Sequence, residues 1–304
     1  MTVRFAIECE LDYRVDSPTE FLFNVQAAAV SQQTLLRESL VLTGASSVSQ
    51  HVHRESGNRF VRASAECGRM TLEYSTTLLL EHTVVPASEI GETRVAELPH
   101  EVLPFVLPSR YCESDRLATL AHSLFGNLPR GYARVKAVCD WVHRQMRFAP
   151  GTTDSRTSAA DALAQGTGVC RDFAHVTIAL LRSLNIPARI VTGYDYGVDA
   201  SYGPTDFHAY VEAFLENRWW IFDATRLCPR NGLVRIGTGR DAADVAFATL
   251  FGNIRFQGMR LDIQPVGAVV VDPGSMALST AAANGTPQPH IHSIASANDE
   301  RMVA

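Results

Sequence analysis

The chain has 304 residues, room for about two domains at the usual ~150 residues each. Apolar residues make up 46% and charged residues 19%, a globular balance that excludes wholesale disorder. Lys and Arg number 27 against 32 Asp and Glu, a net charge of −5 with histidine neutral, so the basic footprint of a nucleic-acid binder is missing, and no apolar run reaches the ~20 residues that span a bilayer.

Residues 3 to 13 alternate Val3, Phe5, Ile7, Cys9, Leu11 and Tyr13 with mostly polar neighbours, the period-2 pattern of a half-buried strand. Charge within the first ten residues argues against a signal peptide. Ser17-Pro18-Thr19-Glu20 reads as a helix start, with Ser17 as cap, Pro18 in the first turn and Glu20 three residues on, so a helix is expected over Phe21 to Val30. Turns at Ser56-Gly57-Asn58 and Cys67-Gly68-Arg69 separate further strands. Residues 1–85 are therefore expected to form a small β-rich domain carrying one helix. Pro86, Pro99, Pro104 and Pro108 block long helices over 86–110 and predict an extended connector.

Helical patterns follow. Leu117, Leu120, Ala121, Leu124 and Phe125 make one stripe, and Tyr132, Val135, Val138, Cys139, Val142 and Met146 another at 3.6-residue spacing. Ser158-Ala159-Ala160-Asp161 is a capping-box pattern that opens a short helix, stopped near Gly166. Val176, Ile178, Leu180, Leu181 and Leu184 mark an apolar helix beginning at Cys170 and ended by Asn185 and Pro187. Strands are expected at Ile190-Val191-Thr192 and, around a turn at Glu216-Asn217, at residues 206–215 and 218–224. The core domain is thus placed at 111–271. Residues 272–304, rich in Ser, Ala, Asn, Gly and Pro, are expected to be an unstructured tail.

The six cysteines, at 9, 67, 112, 139, 170 and 228, include no C-x-x-C and no disulfide framework is needed at this length, which points to a reducing cytoplasm. Cys170 stands apart. It follows Gly166-Thr167-Gly168-Val169 at the first turn of an apolar helix. The unpaired N–H groups there favour thiolate over thiol and point where an oxyanion forms during attack on a carbonyl. A thiolate nucleophile needs a base, and the base needs an orienting acceptor. His175 lies five residues along the helix, ~140° around its axis, and is expected to pack rather than react. His51 and His53, and His290 and His292, read as solvated. His208 opens an apolar strand, and the hairpin brings Asp223 back alongside Tyr210 or Val211, within reach of His208. Cys170, His208 and Asp223 therefore form a candidate catalytic triad. Glu212 is expected to pair with Arg218 or Arg189, and Arg240, Asp241 and Asp244 to form an ion-paired loop. Cys139 and Cys228 are expected to be inert core thiols.

The motifs R-F-A-P-G-T-T-D (147–154), G-T-G-V-C-R-D-F-A-H (166–175), I-P-A-R-I-V-T-G-Y (186–194), F-H-A-Y-V-E-A-F (207–214), W-W-I-F-D-A-T (219–225) and G-R-D-A-A-D-V (239–245) resemble the bacterial transglutaminase-like family of cysteine peptidases. With its β-rich amino-terminal domain included, the resemblance covers roughly residues 3 to 262. It implies an α+β fold, a papain-like core in which a helix bearing the nucleophile packs on an antiparallel sheet. It implies Cys170 as nucleophile, His208 as base and Asp223 as the orienting carboxylate. Arg171, Tyr210 and Ala224 depart from the Gln, Trp and Pro common at those places.

The expected function is a thiol enzyme acting on a peptide or isopeptide amide through a thioester, with water as acceptor. The alternatives are transfer to an amine, as in a transglutaminase or ligase, and a non-catalytic binding module on the same fold. Neither metal nor organic cofactor is implied; a zinc site built on Cys170 and His208 lacks further ligands at zinc spacing. The expected partner is a peptide or amide substrate, with neither nucleic acid nor membrane.

Overall fold

The alternation at the amino terminus becomes β1 (Thr2–Val15), which buries Phe5, Ile7, Leu11 and Tyr13 on one face. The computed structural model of the chain describes residues 2–202, 205–267 and 274–280. After β1 come β2 (Thr19–Phe23), β3 (Gln33–Thr43), β4 (Ala45–Val52), β5 (Arg59–Ala65), β6 (Gly68–Glu81) and β7 (Thr83–Pro86). The helix expected over Phe21 to Val30 does not form. Thr19, Phe21 and Phe23 turn to one face of β2 and bury, and residues 24 to 30 continue without helix. A cap signal at Ser17-Pro18 is local; here strand partners on both sides of β2, including one from far along the chain, override it.

The Pro-rich stretch is not extended throughout, as expected, but holds three short 3-10 helices, Ala87–Glu89, Val95–Glu97 and His100–Val106; its prolines block only longer helices. Then follow α1 (Ser114–Phe125), α2 (Tyr132–Gln145), β8 (Arg147–Phe148), α3 (Ala159–Gln165), β9 (Thr167–Gly168) and α4 (Cys170–Ser183). The expected stripe of α2 is buried at Tyr132, Val135, Val138, Cys139 and Val142. Ser158 and Asp161 exchange the capping-box hydrogen bonds at the start of α3. The chain continues through β10 (Ala188–Asp195), β11 (His208–Leu215), β12 (Arg218–Phe222), β13 (Leu233–Gly239), β14 (Ala248–Phe251), β15 (Ile254–Pro265) and β16 (Met276–Ser279).

Two four-stranded antiparallel sheets, ordered β15-β1-β6-β3 and β14-β2-β5-β4, face each other across Phe5, Ile7, Leu11, Phe21, Phe23 and Val61. The front domain is thus not closed by residues 1–85. It takes β14 and β15 from residues 248–265, which the sequence reading assigns to the core domain. Strand pairing is non-local, so neither partner's sequence announces the other. The tail expectation also changes. Met276–Ser279 pair with β7, and Ala277 and Leu278 are fully buried, two apolar residues hidden in the polar average around them. The rest of that segment, 272–273 and 281–304, lies outside the described residues.

The third sheet, β12-β11-β10-β13, positions the site. Ala209, Val211 and Ala213 of β11 pack with Phe173, Ala174 and Ile178 of α4 in one core. Tyr194, Val234 and Ile236 instead join the core of the front domain. Buried hydrogen bonds tie the seam: Tyr194 donates to the Val25 carbonyl (2.5 Å), and Asn58 and Thr238 exchange two bonds of 2.9 and 2.8 Å. No helix among the described residues is long and apolar enough to cross a membrane.

Candidate active site

The loop before Cys170 is built around close backbone approach. Gly166 ends α3 at φ +66°, a left-handed cap that favours glycine. A Cβ on Gly168 would lie 2.7 Å from the Cβ of Asp172, so only glycine fits there. Buried Asp172 accepts from the Val169 N–H (2.9 Å) and the Thr153 hydroxyl (2.6 Å), a carboxylate in the first turn that suits the positive end of α4. Arg171 closes the loop by donating to Asp172 (3.0 Å) and to the Asp154 carbonyl (2.8 Å). The arginine that departs from the family's Gln is therefore engaged in holding this turn. Cys170 emerges half-buried at the first turn, its Sγ 3.9 Å from the Phe207 carbonyl.

The hairpin register, with Val211 opposite Phe222, sets Asp223 where the sequence expects it, across from the start of β11. His208 Nε2 lies 3.0 Å from Asp223 Oδ2. Asp223 is itself fixed by Thr225, whose N–H (2.8 Å) and hydroxyl (2.7 Å) donate to Oδ1. Burial pushes the His208 imidazole toward its neutral form. The Asp223 charge and hydrogen bond, joined by a hydrogen bond and charge interaction with Cys170, more than offset this and hold its pKa well above the ordinary value. Burial likewise raises Asp223, but the His208 charge and the bonds from His208 and Thr225 bring it below the usual carboxylate range. The fold thus brings Cys170, His208 and Asp223 together.

Two further residues hold the His208 ring and its partner in place. Thr225 follows Asp223 by two residues, an Asx-turn spacing that carries a recognisable signal. Asp195 closes β10, two residues past Gly193, the register partner of His208. Its Oδ2 stands 3.2 Å from His208 Nδ1. Burial, opposed by the His208 charge and reinforced by Asp223, pushes its pKa up to about 6. The logic that singled out Asp223, an acid ending an apolar strand, applies equally to Ile190-Val191-Thr192-Gly193-Tyr194-Asp195. Asp195, His208 and Cys228 are also three metal-ligand types whose ligand atoms come within 4.8 Å of one another.

Other expectations resolve structurally. Glu212 pairs with Arg189 (2.6 Å) and also with Arg235, while Arg218 bonds Thr83 (3.2 Å) instead. Arg240 pairs with Asp244 (3.0 Å), and Asp241 accepts from the N–H groups of Tyr111 (2.9 Å) and Ala243 (3.0 Å). Trp219 and Trp220 are both buried, in different cores. Tyr210 is buried beside His208, and the carbonyl of Ala224 lies 2.9 Å from His143 Nδ1. His53 bonds Ser56 (2.9 Å); His290 and His292 lie outside the described residues. Burial pushes the Cys139 thiol upward, as expected of a core thiol.

His175 is fully buried, stacked on Tyr111, with Nε2 accepting the Ala242 N–H (3.1 Å). Burial, partly countered by Asp241, lowers its pKa to about 4. Below the ordinary value of about 6.5 only the unfolded chain takes up this proton, so the neutral ring's contribution is lost as pH falls toward 4, by about 1.4 kcal/mol per pH unit. Urea midpoints at pH 7 and pH 5 should therefore differ by less in His175→Gln than in the parent chain. An unchanged difference would reject this assignment.

Residues 118–224 match the model of the transglutaminase-like superfamily, and residues 3–100 match the amino-terminal domain of bacterial transglutaminase. A solved structure from Cytophaga hutchinsonii, described as a "putative cysteine protease", is 38% identical with a TM-score of 0.85, covering 92% of this chain and 98% of that one. An uncharacterized protein of Mycobacterium leprae is 40% identical over 117 residues, 37% of this chain and 42% of the relative. One of Mycobacterium tuberculosis is 30% identical over 115 residues, 34% and 37% of the two chains. The matches span about two fifths of the length of these curated relatives.

Proposed function

The chain belongs to the bacterial transglutaminase-like family, and from that premise we propose that this thiol enzyme hydrolyses a peptide or isopeptide amide through Cys170, His208 and Asp223. The observation that carries the reading is the His208 ring, bound at Nε2 to Asp223 and interacting with Cys170 at the start of α4. The Cys170 sulfur attacks the amide carbon, forming a C–S bond while the carbonyl oxygen takes the negative charge. The Cys170 N–H and the positive end of α4 stabilise that oxyanion. His208, carrying the thiol proton, gives it to the amide nitrogen, and the C–N bond breaks to leave a thioester and an amine. His208 then takes a proton from water, which attacks the thioester and releases the acid and the thiol. Asp223, fixed by Thr225, keeps the ring oriented and stabilises its charge throughout. A nucleophilic thiol accompanied by five others fits a reducing compartment, the cytoplasm.

The test is mass spectrometry of intact protein after incubation with peptide and isopeptide pools, with and without an added primary amine. A transient acyl adduct on Cys170 that decays to free acid is the expected result. Decay only to the amide of the added amine would replace hydrolysis by transfer. No adduct from any pool would favour the non-catalytic reading.

A further inference from the structure

At the His208 ring three side chains of different chemistry, its own included, converge from separate parts of the fold. Asp195 ends β10, His208 opens β11, and Cys228 lies in the loop after β12; all are buried, with ligand atoms within 4.8 Å of one another. Asp195 is the unexplained member. Its Oδ1 is buried with no hydrogen-bond partner, although a buried carboxylate is costly unless both oxygens are satisfied. The triad reaction does not require this second acid, nor Cys228.

We propose that Asp195, His208 and Cys228 form a three-ligand site for a divalent transition metal, zinc foremost, whose binding takes Nδ1 of His208 and switches the enzyme off. The inhibitory part rests on His208 being the base in the proposed reaction; the binding part does not. Carboxylate, imidazole and thiolate together suit zinc and are a poor set for magnesium or calcium. Tetrahedral zinc, with bonds of about 2.0–2.3 Å, sets N···O and N···S edges near 3.3 and 3.6 Å. The Asp195–His208 edge is already 3.2 Å, and bringing in the Cys228 sulfur needs an adjustment of about an ångström.

The surroundings are those of a ligating histidine. Such a ring usually gives its other N–H to a carboxylate, which fixes its tautomer and orientation. Here Nε2 is 3.0 Å from Asp223, itself held by Thr225, so Nδ1 is the nitrogen left for a metal. The ion has a route, because Cys228 and Asp223 line a cavity of about 720 Å³ that also carries Asp140. Binding would release the Cys228 thiol proton and the proton on His208 Nδ1 to solvent, and the thiolate and carboxylate would balance the two charges of the ion. With Nδ1 on the metal, His208 has no nitrogen left to exchange a proton with Cys170.

Cobalt(II) is the probe, added to the full chain carrying Cys170→Ala so that the nucleophile supplies no sulfur. A thiolate-to-cobalt charge-transfer band and tetrahedral d–d bands should appear and vanish on adding zinc. Adding Cys228→Ser should remove the charge-transfer band, and Asp195→Asn should weaken cobalt binding about tenfold or more. No such band with Cys170→Ala alone, or one that survives Cys228→Ser, overturns the site. If Cys228→Ser does not fold, zinc should instead protect Cys228 from alkylation in the Cys170→Ala chain, and lack of protection overturns the site equally. Zinc should also suppress adduct formation on Cys170 in the parent chain, at a concentration that Cys228→Ser raises about tenfold or more. An unchanged concentration with the cobalt signal present would reject the switch and keep the site. The spectra do not depend on turnover, so failure of the hydrolytic reading is distinguishable from failure of the metal site.

Discussion

Cys170→Ala and His208→Gln are each expected to lower amide hydrolysis by at least about 10⁴-fold, with the double variant no slower than the slower single one, because in the proposed reaction nucleophile and base act as one unit. Gln at 208 is the better test of the base. It keeps a hydrogen-bonding side chain between Asp223 and Asp195, whereas Ala would leave two buried carboxylates facing a void. Alkylation by iodoacetamide gives a second readout that needs no substrate. Cys9 and Cys112 are pushed up to about 12 by burial, and Cys139 rises for the same reason. Cys67 is the exposed competitor and Cys170 only half-buried, so exposure alone would favour Cys67. The proposed triad would reverse that order: Cys170 should be labelled first, and His208→Gln should slow it to about the rate of Cys67. Full hydrolysis by either single variant, or faster labelling of Cys67 in the parent chain, would reject the assigned roles.

Glu212→Gln destabilises the fold by about 3–5 kcal/mol, the cost of removing one partner from a buried ion pair. Glu212 is 0% exposed, between Arg189 at 12% and Arg235 at 3%. Burial opposes its charge, but the two guanidinium groups more than offset that and hold its pKa below the usual range. Burial in turn lowers Arg189 to about 10, against the pull of Glu212, so that guanidinium stays charged near neutrality. Gln keeps the shape and removes the charge, leaving two buried cations with one neutral acceptor. Arg235 also joins the domains, its N–H donating to Gln33 (2.8 Å) and its carbonyl accepting from Gln33 (2.9 Å). The loss should therefore appear as one cooperative shift of the urea transition for both domains. A loss below about 1 kcal/mol would mean that water screens the cluster as it does a surface pair.

What was legible in the sequence was legible because it was local. The alternation of β1, the stripe of α2 and the Ser158–Asp161 cap are each decided within a few residues, and each formed as read. The same holds for the turn at Glu216-Asn217, which fixes the register that places Asp223 opposite the start of β11. Cys170 was legible from the glycine turn before its helix and His208 from its place at the start of an apolar strand, and motif order then pointed to the same two residues. The helix misread at Phe21 shows the limit. A cap signal there met an equally local alternation, and the choice belonged to β5 and β14.

The sequence by itself determined the family, the three candidate catalytic residues and the class of chemistry, because these rest on residue type and short spacing. Tertiary structure alone decided that β14 and β15 complete the front domain, that Arg235 and Tyr194 tie it to the core, and that Asp195 and Cys228 gather at His208. The physical reason is the same in each case. Strand pairing and buried charge are satisfied by partners tens to hundreds of residues away, and no window of sequence contains both halves of such a contact.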